Sequence, residues 1–128
     1  MLCCNKGGIL TLKLKIIGSG GMSIIPSSFC KCNICEEARQ KGGRYERLGP
    51  SLYIDDIKML IDTPEDIAVA CKKKKITEVK NISISHSDPD HVKGIRIVEK
   101  IGYDFIKEKS APINFYALPE VIDDINNM

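Results

Sequence analysis

Residues 79–91 read Val-Lys-Asn-Ile-Ser-Ile-Ser-His-Ser-Asp-Pro-Asp-His, and this stretch holds both histidines of a 128-residue chain. Val79 to Ser85 reads as a strand. His86 and His91 then bracket Asp88 and Asp90, with Pro89 stiffening the turn. Imidazole and carboxylate together suit zinc, iron or manganese, and a turn between strand and helix lets several side chains converge on one ion. The same residues also fit a plain helix start, with Asp88 or Asp90 as N-cap to a helix beginning near His91.

Downstream, Val92, Ile95, Val98 and Ile101 recur at helical spacing and Gly102 suits a C-terminal cap. Ile113 to Leu118 predicts a further strand, and Pro119 to Met128 opens a helix. Upstream, Thr63-Pro64-Glu65-Asp66 predicts a helix start, Thr63 capping free amides and Pro64 at the first helical position, with the helix running to about Lys75. Lys72 to Lys75 fall in its last turn, where positive charge is favoured, and read as a solvated helix end. Ser51 to Ile54 and Ile57 to Ile61, separated by Asp55-Asp56, read as a tight hairpin.

At the beginning of the chain, Leu10, Leu12, Leu14 and Ile16 alternate with Thr11, Lys13 and Lys15, the period of a half-buried strand. It stops at Gly18-Ser19-Gly20-Gly21, a sharp turn with close backbone approach. Met22 to Pro50 shows little periodicity beyond a short polar helix at Glu36 to Gln40. The order β, loop, β, β, α, β, α, β, α predicts an α/β layer fold.

Composition narrows the function. Hydrophobic residues make up 43% and charged residues 28%, and 19 Lys plus Arg against 17 Asp plus Glu leave +2. A chain of this length buries roughly two-thirds of the surface it exposes unfolded, enough for one core without staples. Charge near balance gives no footprint for a nucleic-acid partner, which is not expected. No apolar run is long enough to span a membrane and no secretory signal is visible, so a cytoplasmic location is expected.

The six cysteines sit at Cys3-Cys4, at Cys30, Cys32 and Cys35, and at Cys71. Three thiols within six residues look more like a metal claw than a disulfide framework. A reduced thiol cluster without metal is the alternative.

Taken in order, Leu14-Lys15-Ile16-Ile17-Gly18-Ser19-Gly20-Gly21, Pro26, Cys30-Lys31-Cys32-Asn33-Ile34-Cys35, Gly49-Pro50-Ser51, Leu60-Ile61-Asp62-Thr63-Pro64 and Ser85-His86-Ser87-Asp88-Pro89-Asp90-His91 resemble metallo-β-lactamase-fold hydrolases. Within that family the sequence is most similar to the branch containing the phosphoribosyl cyclic phosphate phosphodiesterase. The resemblance covers essentially the whole chain. It implies an α/β fold, the N-terminal half of an αββα sandwich with a mixed β-sheet and helices on its outer face, and a single, incomplete domain over residues 1–128.

The resemblance further implies two divalent metal ions, zinc or manganese, that activate water against a small phosphodiester substrate. His86, Asp90 and His91 match metal ligands of a His-x-His-x-Asp-His motif, with Asp90 also touching the reacting water. Asp88 stands where the motif has its second histidine. That exchange replaces a neutral nitrogen donor with a hard anionic oxygen, which changes metal preference and leaves less positive charge to acidify water. Asp62 matches an aspartate that orients the metal-binding loop by hydrogen bonding. Cys30, Cys32 and Cys35 resemble a structural zinc claw whose fourth ligand is a later histidine, and no histidine follows His91 here. Cys71 or Cys4 could substitute only if the fold brought them close.

With two histidines neither metal has a full shell, so the chain is expected to be the N-terminal part of a longer hydrolase and inactive as it stands. The rival is a non-catalytic module that binds zinc through the cysteines and contacts a partner or nucleic acid through Lys72 to Lys75 and the basic residues from Arg39 to Arg47. A homodimer is left open. A hydrolase requires His86, Asp88, Asp90 and His91 to converge with Asp62 behind them; the module requires exposed lysines aligned with the cysteines and no convergence.

Overall fold

The computed structural model describes residues 11–101, 103–104 and 109–128. The first predicted strand forms over Leu14–Gly18 (β1), and its expected beginning at Leu10 lies outside the described residues. The hairpin forms, with Ser51–Ile54 (β2) antiparallel to Met59–Ile61 (β3), but its second strand begins two residues later than expected because the turn takes in residues 55–58 and not Asp55-Asp56 alone. Lys58 takes a positive φ of 50° to close its turn and donates to Asp55 at 2.8 Å. Asn81–Ser83 (β4) and Asn114–Tyr116 (β7) add in parallel, giving one mixed sheet in the order β1-β2-β3-β4-β7. Tyr103–Asp104 (β5) and Lys109–Ser110 (β6) form a separate two-stranded ribbon.

The helices are Asn33–Lys41 (α1), Ile67–Lys73 (α2), Pro89–Val92 (α3) and Pro119–Asn126 (α4). Tyr53, Leu60 and Ile82, paired across β2, β3 and β4, pack with Ile67, Ala70, Cys71, Val92 and Val121 in one core. That places α2, α3 and α4 on a single face of the sheet. None of the described helices is long and apolar enough to cross a membrane.

Three further expectations shift. The helix predicted to open at Thr63 begins at Ile67 with Asp66 as N-cap, because Thr63 is fully buried and its backbone is taken by His91 and Gly94. The helix predicted through Val92 to Ile101 breaks into α3 and a 3₁₀ turn over Ile95–Glu99, since Gly94 lies so close to Pro64 that a Cβ there would fall 2.0 Å from the Pro64 carbonyl oxygen. The apolar side of the first strand, expected to face the core, faces away: Leu14 is 58% and Ile16 65% exposed, whereas Lys15 lies beside the buried Tyr53 ring.

Candidate metal centre

The site is assembled where β3 and β4 end side by side. Asp62 follows β3 and takes a φ of 62°, a left-handed conformation that aspartate tolerates better than most residues. Its amide donates to the Ser83 carbonyl at 2.8 Å, which locks the two strand ends together. The buried Asp62 carboxylate then accepts three hydrogen bonds, from the Ser85 amide at 2.8 Å, the Ser85 hydroxyl at 2.9 Å and His91 Nδ1 at 2.9 Å.

Those contacts decide the imidazole tautomers. His91 Nδ1 faces a carboxylate, so it carries a proton, and in the neutral ring, the form that binds a metal, Nε2 keeps the lone pair. The Ser85 hydroxyl has a single proton, given to Asp62, so His86 Nδ1, 2.9 Å from Ser85 Oγ, must be the donor in that contact. In the neutral ring His86 therefore also keeps its lone pair on Nε2. The two rings lie 3.9 Å apart between centroids.

Each free Nε2 has a carboxylate beside it and not bonded to it. Asp88 Oδ2 is 3.4 Å from His86 Nε2, and Asp90 Oδ2 is 3.6 Å from His91 Nε2. A lone pair facing an anion beyond hydrogen-bonding distance is the arrangement that a cation between them relieves. His91 and Asp90 are largely buried, while the Asp88 side chain is 71% exposed. Asp88 is also the positional N-cap of α3, without a side-chain capping bond. Asp90 borders a cavity of 360 Å³ whose wall includes Ser23, Ser27, Gly49, Pro64 and Asp66.

Backbone pairing holds the loop against the sheet. The Thr63 amide donates to the His91 carbonyl at 2.7 Å and the Gly94 amide to the Thr63 carbonyl at 2.8 Å. Ser85 is the residue of the candidate site to which the sequence reading gave no role. A serine after a strand carries no signal by itself, and its role shows only once Asp62, 23 residues earlier, is beside it.

The cysteine claw forms at the start of α1. The sulfurs of Cys30, Cys32 and Cys35 lie within 4.8 Å of one another, the closest-knit set of three metal-ligating atoms among the described residues. By contrast, the histidines and aspartates come together as pairs. The Cys35 amide donating to the Cys32 sulfur, with the neighbouring thiols of Cys30 and Cys35, brings the exposed Cys32 thiol down to about 7. At Cys35 the Ser27 amide favours the thiolate, yet burial and the two adjacent sulfurs outweigh it and the thiol titrates above its ordinary value. Three thiols suit zinc, which takes four ligands when structural. Cys71 does not supply the fourth: it sits in the hydrophobic core, where burial pushes its thiol up to about 11. Cys4 lies outside the described residues. All four described cysteines are free thiols.

The lysines of the rival reading are exposed at the end of α2, where Lys73 pairs with Glu46. Lys73, Lys74, Arg44 and Arg47 border a groove of 660 Å³.

No protein-family model matches the sequence, and none of the curated proteins does. Among solved structures, the chain superposes on a diphosphatase from the PhnP family with a TM-score of 0.75 and 24% identity, over 91% of this chain and 46% of that one. Zinc-bound PqqB from Methylobacterium extorquens superposes with a TM-score of 0.72 and 20% identity, over 90% of this chain and 40% of that one. Both are metallo-β-lactamase-fold proteins, and this chain has the corresponding mixed-sheet α/β architecture while spanning less than half of either.

Proposed function

We propose that the chain carries the first metal-ligand loop of a metal-dependent hydrolase, with His86, Asp88, Asp90 and His91 as ligands of a two-metal zinc or manganese centre and Asp62 and Ser85 as the residues that orient the imidazoles. The observation that carries the proposal is the pair of Nε2 lone pairs, each set by a hydrogen bond at Nδ1 and each beside an unbonded carboxylate. A divalent cation, when bound, supplies a Lewis acid that makes water acidic and stabilises charge on a phosphoryl oxygen. The chain's own part is to present nitrogen and oxygen donors in fixed orientation, and to place Asp90 at the wall of the adjoining cavity, where it can accept a proton from water.

The substrate class we favour is a small phosphodiester, such as a cyclic phosphate. The diphosphatase likeness supports phosphoryl chemistry. Two imidazoles do not fill two metal shells, so residues 1–128 alone should hydrolyse such a substrate slowly or not at all. A structural zinc at Cys30, Cys32 and Cys35 belongs to the same proposal, and free thiols suit the reducing cytoplasm.

The alternative, a non-catalytic zinc module, has in its favour the tight sulfur cluster and the basic groove. Metal content of the zinc-loaded chain separates the two. The hydrolase reading expects His86→Ala and Cys32→Ala each to lose bound metal independently; loss in Cys32→Ala with none in His86→Ala would overturn it in favour of the module.

A further inference from the structure

The loop that carries His86, Asp88, Asp90 and His91 is tied down firmly at its far end and much less at its near end. His91 and Gly94 pair through their backbones with Thr63, and Asp62 holds the His91 ring. Residues 86–88 belong to no strand or helix. Among the described residues, the backbone hydrogen bond that reaches them runs from the His91 amide to the Asp88 carbonyl at 2.9 Å and stays inside the loop. Two of the four candidate ligands stand in this half, with side chains 47% exposed at His86 and 71% at Asp88.

One side chain reaches out of it to a helix. Ser87 Oγ donates to Asp124 Oδ2 at 2.6 Å, across 37 positions of sequence. A hydroxyl donating to a carboxylate makes a charge-assisted bond, shorter and roughly twice as strong as a neutral one. Asp124 can serve as an anchor because its helix is fixed. It lies on α4 three residues after Val121 and one before Ile125, and both of those pack into the core that also holds Ile84 and Val92. The Ile84 amide donates to the Tyr116 carbonyl at 2.9 Å, so the chain just ahead of the loop is joined to the end of β7, from which α4 departs.

We infer that Ser87 and Asp124 are a positioning pair for the metal centre: their bond holds the backbone between His86 and Asp88 against α4, so that the imidazole and the carboxylate on either side of Ser87 face one ion. The inference rests on the ligand roles proposed above for those two residues. His86 Nε2 and Asp88 Oδ2 lie 3.4 Å apart with Ser87 alone between them in sequence, so rotation about the Ser87 backbone would separate them. A hydroxyl fixed to α4 opposes that rotation. Ligands ordered before the ion arrives spare it the entropy of ordering them. Ser87 and Asp124 need not touch the ion to do this.

Zinc competition with a chromogenic chelator tests the pair on the Cys32→Ala chain, counting the site that His86→Ala removes, and amide nitrogen relaxation tests it on the metal-free chain. Ser87→Ala and Asp124→Ala should each weaken zinc about tenfold, the lower end of the effect of losing a residue that orients a metal ligand. The double variant should lose no more than either single one, because both delete the same bond. Asp124→Asn keeps an acceptor for the hydroxyl and should lose only about threefold, as a neutral acceptor retains about half the strength. Without metal, either alanine should lower the backbone order parameters of residues 86–88 from about 0.85 toward 0.6 and leave that of His91 unchanged. Ser87 is partly exposed and Asp124 exposed, so circular dichroism should show the native fold in every variant. Losses that add in the double variant, Asp124→Asn as weak as Asp124→Ala while Ser87→Ala binds normally, or order parameters unchanged at residues 86–88 would each overturn the inference and leave the hydrolase proposal standing. A Cys32→Ala chain with no zinc site sensitive to His86→Ala would overturn both.

Discussion

His91 Nδ1 donates to Asp62 Oδ2 at 2.9 Å across 29 positions of sequence, joining the end of β3 to the first turn of α3. The bond fixes ring orientation and tautomer together. Asp62→Asn keeps a side chain that tolerates the positive φ but offers His91 a weaker, uncharged acceptor. Zinc affinity, measured by competition with a chromogenic chelator, is expected to fall roughly 10–100-fold, the usual effect of losing a residue that orients a metal-binding histidine. Unchanged affinity would show that the aspartate acts only as a strand-end brace.

Ser85→Ala tests the other imidazole. Without the hydroxyl, His86 Nδ1 loses its acceptor at 2.9 Å, whereas His91 keeps its bond to Asp62. Nitrogen chemical shifts of the metal-free protein should show the Nδ1-protonated tautomer of His86 depopulated and that of His91 retained. Equal shifts at both rings would contradict the separate roles assigned to the two contacts.

Much of this site was legible in sequence because its residues are consecutive. His86 to His91 follow a strand, and the spacing alone places donors on one turn. The β2–β3 hairpin was legible for the same local reason, with Asp55-Asp56 between two apolar segments. What escaped is non-local. Thr63 has the side chain of a helix cap, but backbone pairing with His91 and Gly94 claims it first, so α2 starts at Ile67. Val92 to Ile101 keeps helical spacing throughout, yet contact between Gly94 and Pro64 splits it. The alternation of the first strand correctly distinguished two sides; which side meets the helices depends on β2, where Tyr53 pairs with Lys15.

Thiol reactivity should follow the same local electrostatics. In the metal-free chain Cys32 is expected to alkylate first, its rate rising with pH through about 7 as the thiol gives way to the reactive thiolate. Cys71, buried and pushed up to about 11, should stay unmodified at neutral pH while the protein is folded. Zinc should protect Cys30, Cys32 and Cys35 together. Mass spectrometry of iodoacetamide-treated samples across a pH series reads all three outcomes, and preferential labelling of Cys71 would contradict the placement of both thiols.

Gly94 offers the sharpest test of how the fold holds the loop. Its amide donates to the Thr63 carbonyl, and a Cβ would lie 2.0 Å from the Pro64 carbonyl oxygen and 2.8 Å from Ile67 Cγ2. The Pro64 carbonyl is backbone and Ile67 is a fully buried, branched side chain, so Gly94→Ala must push α3 away from the segment that carries Asp62. A loss of about 1–3 kcal/mol in urea unfolding is expected, the usual range for overpacking. Zinc affinity should fall with it, because His91 rides on the displaced turn. Gly21→Ala is the control: nothing lies within 4 Å of its Cβ position, and stability should hold to within about 0.5 kcal/mol, as for ordinary surface substitutions. If Gly94→Ala lowered stability without weakening zinc binding, His91 would be positioned by its own hydrogen bond to Asp62 and not by the packing of α3.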